Sequence, residues 1–302
     1  MHRIFKQIQE LLLKIPPDSF AVITKWLRVE LTYTSNHIEG NTLTRAETAL
    51  TVEKGLTSGS KPVKDYLEAK NHAEAFDYIV SLINQEKVDY EDVILKIHSM
   101  ILNGIDDNTG GRYRNVRVRI AGADVVLPNP LKVPDLMRNF AEKLCKKPDS
   151  LLKAFEAHYK LVEIHPFTDG NGRTARLLMN LILMRAGYLP VVISPIERKR
   201  YISGINSRNT KNNLLGYHRY MLRMLKKSLD MYVKLFGERN AEPDSSLMKI
   251  GEFAKYCNVP QSTLRYYLRI KKIEPISYTN SGYMLFSKEQ AGLLKKSDES
   301  LS

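Results

Sequence analysis

The chain has no run of about eighteen apolar residues, so nothing in it reads as a membrane-spanning helix. Its opening stretch, MHRIFKQIQELLLKIPPDSF, interleaves charges with apolar positions and lacks the h-region of a secretory signal. A cytoplasmic protein without a membrane partner is expected. Cysteine is scarce. The two present, Cys145 and Cys257, fit neither a disulfide framework nor a metal spacing, which predicts structural thiols in a reducing compartment. Internal repeats and low-complexity tracts are also lacking, which excludes a solenoid or a disordered tail as the organising feature.

What is present is a 302-residue chain carrying a formal charge of +13, long enough to bury a real core. The excess is local. From Glu197 to Arg239 there are eleven Lys or Arg against three acids, whereas Asp244 to Ser302 has nine against six. Such a field favours a polyanion, a triphosphate or nucleic acid, and a solvated basic helix face explains it equally well.

Apolar spacing predicts a mainly α fold. Helical periodicity runs through Ile4, Ile8, Leu11 and Leu12 to a stop at Pro16-Pro17. It continues from Phe20 to a Gly40 cap, from Asp65 to Leu82, and from Tyr90 to Leu102. Later helices are expected over Pro134–Cys145, Leu151–Glu163, through Met184, and Leu214–Phe236. Between Gly111 and Pro128, alternating Val116, Val118 and Ile120 with a turn at Ala121-Gly122-Ala123 predict a β-hairpin. The polar GERNAEPDSS reads as a linker. After it come a helix on Ile250, Phe253, Ala254 and Cys257, a break at Asn258, a second helix with Leu264 and Leu268, and a hairpin turning at Asn280-Ser281-Gly282. The expected organisation is an N-terminal helical region at 1–100, a core at 101–237, a linker at 238–246 and a small helix-turn-helix module at 247–302.

The densest chemistry lies in IHPFTDGNGRTAR, Ile164 to Arg176. Gly170-Asn171-Gly172 lets the backbone gather N–H groups just before a helix carrying Leu177, Leu178, Leu181 and Ile182, and amides at a helix N-terminus bind anions. Arg173 and Arg176, one turn apart, can hold two phosphates. Asp169 offers a hard oxygen to Mg²⁺, and His165 is an imidazole able to take a proton from an attacking hydroxyl. Together these groups suit phosphoryl or nucleotidyl transfer. No Gly-Lys-Ser/Thr follows the glycines, which excludes a Walker loop.

HPFTDGNGRTAR resembles the signature of Fic-domain proteins, His-Pro-Phe-x-Asp/Glu-Gly-Asn-Gly-Arg-x-x-Arg, at every specified position. The resemblance implies a helical Fic fold and transfer of AMP from ATP to a Ser, Thr or Tyr hydroxyl of a target protein. His165 would be the general base, Asp169 would hold Mg²⁺, and Gly170, Asn171 and Gly172 would bind phosphate. Arg173 and Arg176 would take the inner phosphates and the γ-phosphate. Phe167 would anchor the core. Gly172 stands where the phosphorylating Doc toxins carry lysine, which favours AMP transfer. The Gly111–Pro128 hairpin would be the flap that binds the target through Val116, Val118 and Ile120, with Arg114, Arg117 and Arg119 as an alternative plain solvent face. Tyr201 and Asn209 fall where the family places its adenosine pocket.

TSNHIEGN, Thr34 to Asn41, resembles the Fic inhibitory motif Ser/Thr-x-x-x-Glu-Gly/Asn through Ser35, Glu39 and Gly40. It implies that Glu39 pairs with Arg176 and blocks the γ-phosphate site. STLRYYL, Ser262 to Leu268, resembles a MerR-type winged helix-turn-helix, implying DNA contacts by Arg265 and Tyr266, with Lys271 and Lys272 nearby. The wing departs from that pattern, with Gly282-Tyr283-Met284 in place of Gly-Tyr-Arg, so a protein-docking tail remains open. Family behaviour also implies a homodimer. Two readings compete with AMP transfer. One is a nucleotide-sensing DNA-binding regulator, and the other is a Fic enzyme that transfers UMP or phosphocholine or removes AMP from a modified target.

Overall fold

The computed structural model describes residues 2–15, 19–59, 61–119, 126–211, 214–236, 247–270, 272–278 and 284–295. The chain divides into a larger unit through Leu235 and a smaller one from Phe236. The larger unit is helical. Its elements are α1 (His2–Leu12), α2 (Phe20–Ile38), α3 (Arg45–Lys54), α4 (Val63–Ser81) and α5 (Tyr90–Leu102), then α6 (Val133–Cys145), α7 (Leu151–Ile164), α8 (Asn171–Arg185), α9 (Arg198–Lys211) and α10 (Leu214–Phe236).

Local chemistry sets several boundaries. Ser150 accepts a hydrogen bond from Lys153 N and starts α7, and Asp89 plays the same part for α5. Gly40, at φ +101°, lets the chain leave α2 after Glu39. Apolar periodicity passes over α3, which opens with a capping box between Thr44 and Glu47 and closes at a left-handed Gly55. Its buried positions include Thr48 and Thr51, so an apolar stripe is missing although the cap signal is there.

Helix α8 is central. Leu178, Leu181, Leu183 and Ile182 are fully buried on it, which is the pattern of a helix surrounded by neighbours. Each such leucine contributes about 1.5–3 kcal/mol by leaving water. Its most extensive partner is α7, and α4, α5 and α2 pack around it as well. That arrangement brings the C-terminal end of α2 to the N-terminal end of α8.

The hairpin that alternation predicts over Gly111–Pro128 has only its flanks, 111–119 and 126–128, among the described residues. No strand forms among its described residues, and Ile120 with the turn lies outside them. Arg114, which the alternative of a plain solvent face would leave exposed, is buried. Its Nη1 donates to Val116 O (3.1 Å) and its Nη2 to Pro128 O (2.8 Å), so one guanidinium ties the two flanks together.

The smaller unit contains β1 (Met248–Lys249), α11 (Ile250–Cys257), α12 (Gln261–Arg269), β2 (Ser277–Tyr278), β3 (Met284–Phe286) and α13 (Ala291–Lys295). The strands form an antiparallel sheet in the order β1-β3-β2, with Met248 opposite Phe286 and Ser277 opposite Leu285. Asn258, at φ +55°, ends α11 in the left-handed region that asparagine tolerates. Phe253, Leu264, Ile273 and Phe286 make a core of its own, the two phenylalanine rings stacked at 4.9 Å. The linker residues 237–246 and the turn at Asn280-Ser281-Gly282 lie outside the described residues.

Candidate functional site

The motif loop joins α7 to α8 and is built mostly by its own side chains. Asn171 Oδ1 accepts from Phe167 N (3.0 Å) and its Nδ2 donates to Phe167 O (2.9 Å), closing a ring around the turn. Oδ1 and one Nδ2 hydrogen are thus spent on the loop, which leaves the backbone N–H and the second Nδ2 hydrogen as its remaining donors. Phe167 is fully buried and stacks on His98 at 3.6 Å between ring centres. Gly170 is left-handed at φ +72°, and a Cβ there would also press on the His98 ring at 3.2 Å. The motif's first glycine therefore answers two constraints.

His98 is invisible to motif reading, because its partners are far away in sequence. Gly111 N donates to its Nδ1 (2.9 Å), which leaves Nε2–H to donate to Asp169 O (3.1 Å). Both ring nitrogens are thus used in the neutral form. Burial pushes its pKa down to about 4, and the Arg173 charge adds to that, against Asp169 and Asp106.

His165 ends α7 at φ +51°, a left-handed conformation that costs a non-glycine residue about 1–2 kcal/mol. Arg114 holds it there. Its Nε donates to His165 O (2.7 Å), and its backbone N donates to Pro166 O (2.9 Å). The imidazole Nδ1 lies 3.3 Å from Val162 O, and a carbonyl can only accept, so Nδ1 carries the proton and Nε2 the free lone pair. Burial lowers the His165 pKa, with the Val162 bond, Glu39 and Asp169 pulling the other way. A neutral base is thereby favoured.

Arg176 and Arg173 are both buried and both paired with acids. Arg176 donates from Nε to Ser35 Oγ (2.9 Å), and from Nη2 to Ser35 O (3.0 Å) and Glu39 Oε1 (2.7 Å). Burial opposes its charge, and Glu39 and Tyr201 more than offset this, so its pKa is held above the ordinary value. Arg173 donates to Glu68 Oε1 (3.0 Å) and Asp169 Oδ2 (3.3 Å). A Cβ at Gly172 would collide with Glu39 Oε1 and meet Arg176 Nη1 at 3.0 Å. The glutamate carboxylate therefore lies over the turn whose amides suit an anion, and glycine is what lets it come so close.

Tyr201 sits on α9 and is buried behind Arg176, whose guanidinium carbon is 6.0 Å from its ring centre. Its hydroxyl meets His158 Nε2 (2.7 Å), while His158 Nδ1 meets Tyr217 OH (2.7 Å) and Tyr217 donates to Phe155 O (3.0 Å). Because the chain ends on a carbonyl, the donors run in one direction: Tyr201 to His158 Nε2, His158 Nδ1–H to Tyr217, Tyr217 to Phe155. Burial pushes the His158 pKa down to about 3. Asn209 lies on α9, and its side chain is outside the described residues. Val116 is exposed and Val118 is half-buried, whereas Ile120 lies outside the described residues. Arg265 and Tyr266 are exposed on α12 of the smaller unit.

Asp169 is the residue expected to hold Mg²⁺. Its carboxylate is 59% exposed, with Oδ1 accepting from Gly170 N (2.6 Å) and Oδ2 facing Arg173. Lone pairs remain open to solvent, which fits a hard cation shared with a bound triphosphate. Among the described residues, no cluster of three or more His, Cys, Asp or Glu can hold a metal unaided, and no helix is long and apolar enough to cross a membrane.

Residues 87–183 match the Fic/DOC family, and residues 249–286 match the MerR family regulatory protein. A protein from Nematostella vectensis named protein adenylyltransferase Fic is 38% identical over 207 residues, 67% of this chain and 48% of its own. The protein of that name from Drosophila virilis is 37% identical over 206 residues, 67% of this chain and 42% of its own. The chain thus spans less than half the length of these curated relatives. Among solved structures, Fic-1 from C. elegans has a TM-score of 0.67 at 28% identity, covering 77% of this chain and 70% of that one. A Fic domain containing signalling protein from Bacteroides thetaiotaomicron matches with the same TM-score and identity, covering 77% of this chain and 96% of its own. The helical unit has the Fic fold.

Proposed function

We propose that this protein is an autoinhibited protein adenylyltransferase. It moves AMP from ATP to a Ser, Thr or Tyr hydroxyl of a target protein, and Glu39 holds it off. The observation that carries this reading is the meeting of a one-sided base with a buried arginine pair at a glycine turn. The His165 lone pair on Nε2 takes the hydroxyl proton as the hydroxyl oxygen bonds to the α-phosphorus. The bond from that phosphorus to the bridging oxygen breaks, and pyrophosphate leaves. Turn amides at the start of α8, with Arg173 and Arg176, bind the phosphates and balance the developing charge. A Mg²⁺ ion held by Asp169 would neutralise phosphate oxygens. The irregular segment carrying Val116 and Val118 offers the target main-chain partners beside the base.

Inhibition follows from the Arg176 contacts. With Glu39 and Ser35 holding its guanidinium, that arginine is unavailable to a γ-phosphate, and the carboxylate over Gly172 repels the anion that should replace it. The smaller unit is read as an address module that presents Arg265 and Tyr266 to DNA, its exposed α12 being the supporting observation. The test is incubation of wild type, Glu39→Gly and Glu39→Gly/His165→Ala with Mg²⁺ and ATP labelled at the α-phosphate. Label should appear on protein with Glu39→Gly and vanish in the double variant. ATP bound without transfer in every variant would sink the AMP-transfer reading and leave a nucleotide-sensing regulator or another cargo.

A further inference from the structure

Of the two arginines in the motif, Arg173 is the more deeply buried, at 2% exposure, and its acid partner comes from outside every motif. Glu68 lies on α4, 105 residues away in sequence, and is itself 7% exposed. Its two oxygens serve different masters. Oε1 accepts from Arg173 Nη1, while Oε2 accepts from Asn41 Nδ2 (2.9 Å), and Lys64 is 3.9 Å from Oε1. Asn41 lies two residues beyond Glu39 and is fixed in turn by Asp65 O (3.0 Å) and Leu43 N (3.0 Å). Arg173 Nε is buried without an acceptor among the described residues.

We infer that Glu68 is the positioning residue of Arg173, holding its guanidinium against α4 so that the edge carrying Nη2 faces the phosphates. The inference rests on the adenylyltransferase reading. Asp169 cannot do this job alone. Its carboxylate is largely exposed and is the group expected to turn toward a cation, so on nucleotide binding Glu68 is the acid left to hold Arg173. An arginine side chain otherwise has many rotamers, and fixing one in advance removes that cost from binding. The bond to Asn41 makes the arrangement depend on the turn that follows α2. The same short segment therefore reaches Arg176 directly through Glu39 and Arg173 indirectly through Glu68.

Glutamine in place of Glu68 keeps the shape but offers a single acceptor oxygen, which cannot serve Arg173 and Asn41 together. The experiment uses the full chain carrying Glu39→Gly, with and without Glu68→Gln, and measures calorimetric affinity for Mg-ATP and for adenosine. Thermal midpoints are recorded alongside. Glu68→Gln is expected to weaken Mg-ATP by about 10-fold or more, as loss of a buried charge partner does, and adenosine by less than about 2-fold. Asn41→Ala, which leaves the Glu68 charge in place, is expected to lower the ATP-to-adenosine preference in the same direction and by less. Equal losses for both ligands would reveal a merely structural residue and overturn the inference, as would unchanged ATP affinity. Should Glu68→Gln fail to fold, the Asn41→Ala preference decides alone. ATP binding without AMP transfer in the Glu39→Gly parent would sink the enzyme reading and leave this one standing, whereas no ATP binding by that parent would overturn both.

Discussion

Three groups from one helix end hold Arg176, and His165 lies 11 positions upstream with its Nε2 lone pair bared. The base is prepared by burial, which lowers its pKa, and the Val162 carbonyl, Glu39 and Asp169 resist that shift. On the proposed mechanism the active form is neutral, so activity should be retained above the folded pKa and lost as pH falls through it. In the Glu39→Gly variant one of the groups that raise the pKa is gone, so the acid limb should move further down. We expect kcat/KM of that variant to inflect below about 6.5, the ordinary histidine value. A pH profile with an acid limb at or above that value would contradict the buried-base geometry. The contiguous motif is legible in sequence because an amide turn and its helix are local objects. Glu68 and His98 are not, because each reaches the motif across a gap that only packing closes.

At the scale of an element, the end of α2 is the switch of the proposed inhibition, and what anchors it is testable apart from Glu39. Arg198, at the start of α9, donates from Nε to Ile38 O (2.6 Å), the last residue of α2. A cation at a helix C-terminus is worth about 0.3–1 kcal/mol. Arg198→Ala should therefore raise the basal activity of the otherwise unaltered chain by about 2- to 5-fold, read as labelled AMP incorporated per minute. No change would mean that α2 is held by its buried face alone. The readable helices, such as α5 and α10, announce themselves by apolar spacing. By contrast, α3 buries threonines, and its capping box and Gly55 cap are the local clues. At the flanks of the expected hairpin the alternation is legible but the tie between them is not: a buried Arg114 bonds to both, through Val116 O and Pro128 O.

Across the whole molecule, the division after Leu235 has a thermodynamic consequence. Each unit has its own core: the larger one surrounds α8, and the smaller one centres on Phe253, Leu264, Ile273 and Phe286. Units with separate cores unfold as separate cooperative steps when few contacts tie them. Calorimetry of the full chain should then resolve two transitions, the smaller in enthalpy belonging to the C-terminal unit, since enthalpy scales with residue number. Phe253 is fully buried and stacked on Phe286, so Phe253→Ala should cost that unit about 3–5 kcal/mol and lower its transition alone. The larger transition should still rise when Mg-ATP is added to the Glu39→Gly/Phe253→Ala chain, because ligand stabilises only the unit that binds it. A single transition that Phe253→Ala shifts as a whole would mean that the two units fold as one, and the smaller module would then be part of the helical unit's own framework.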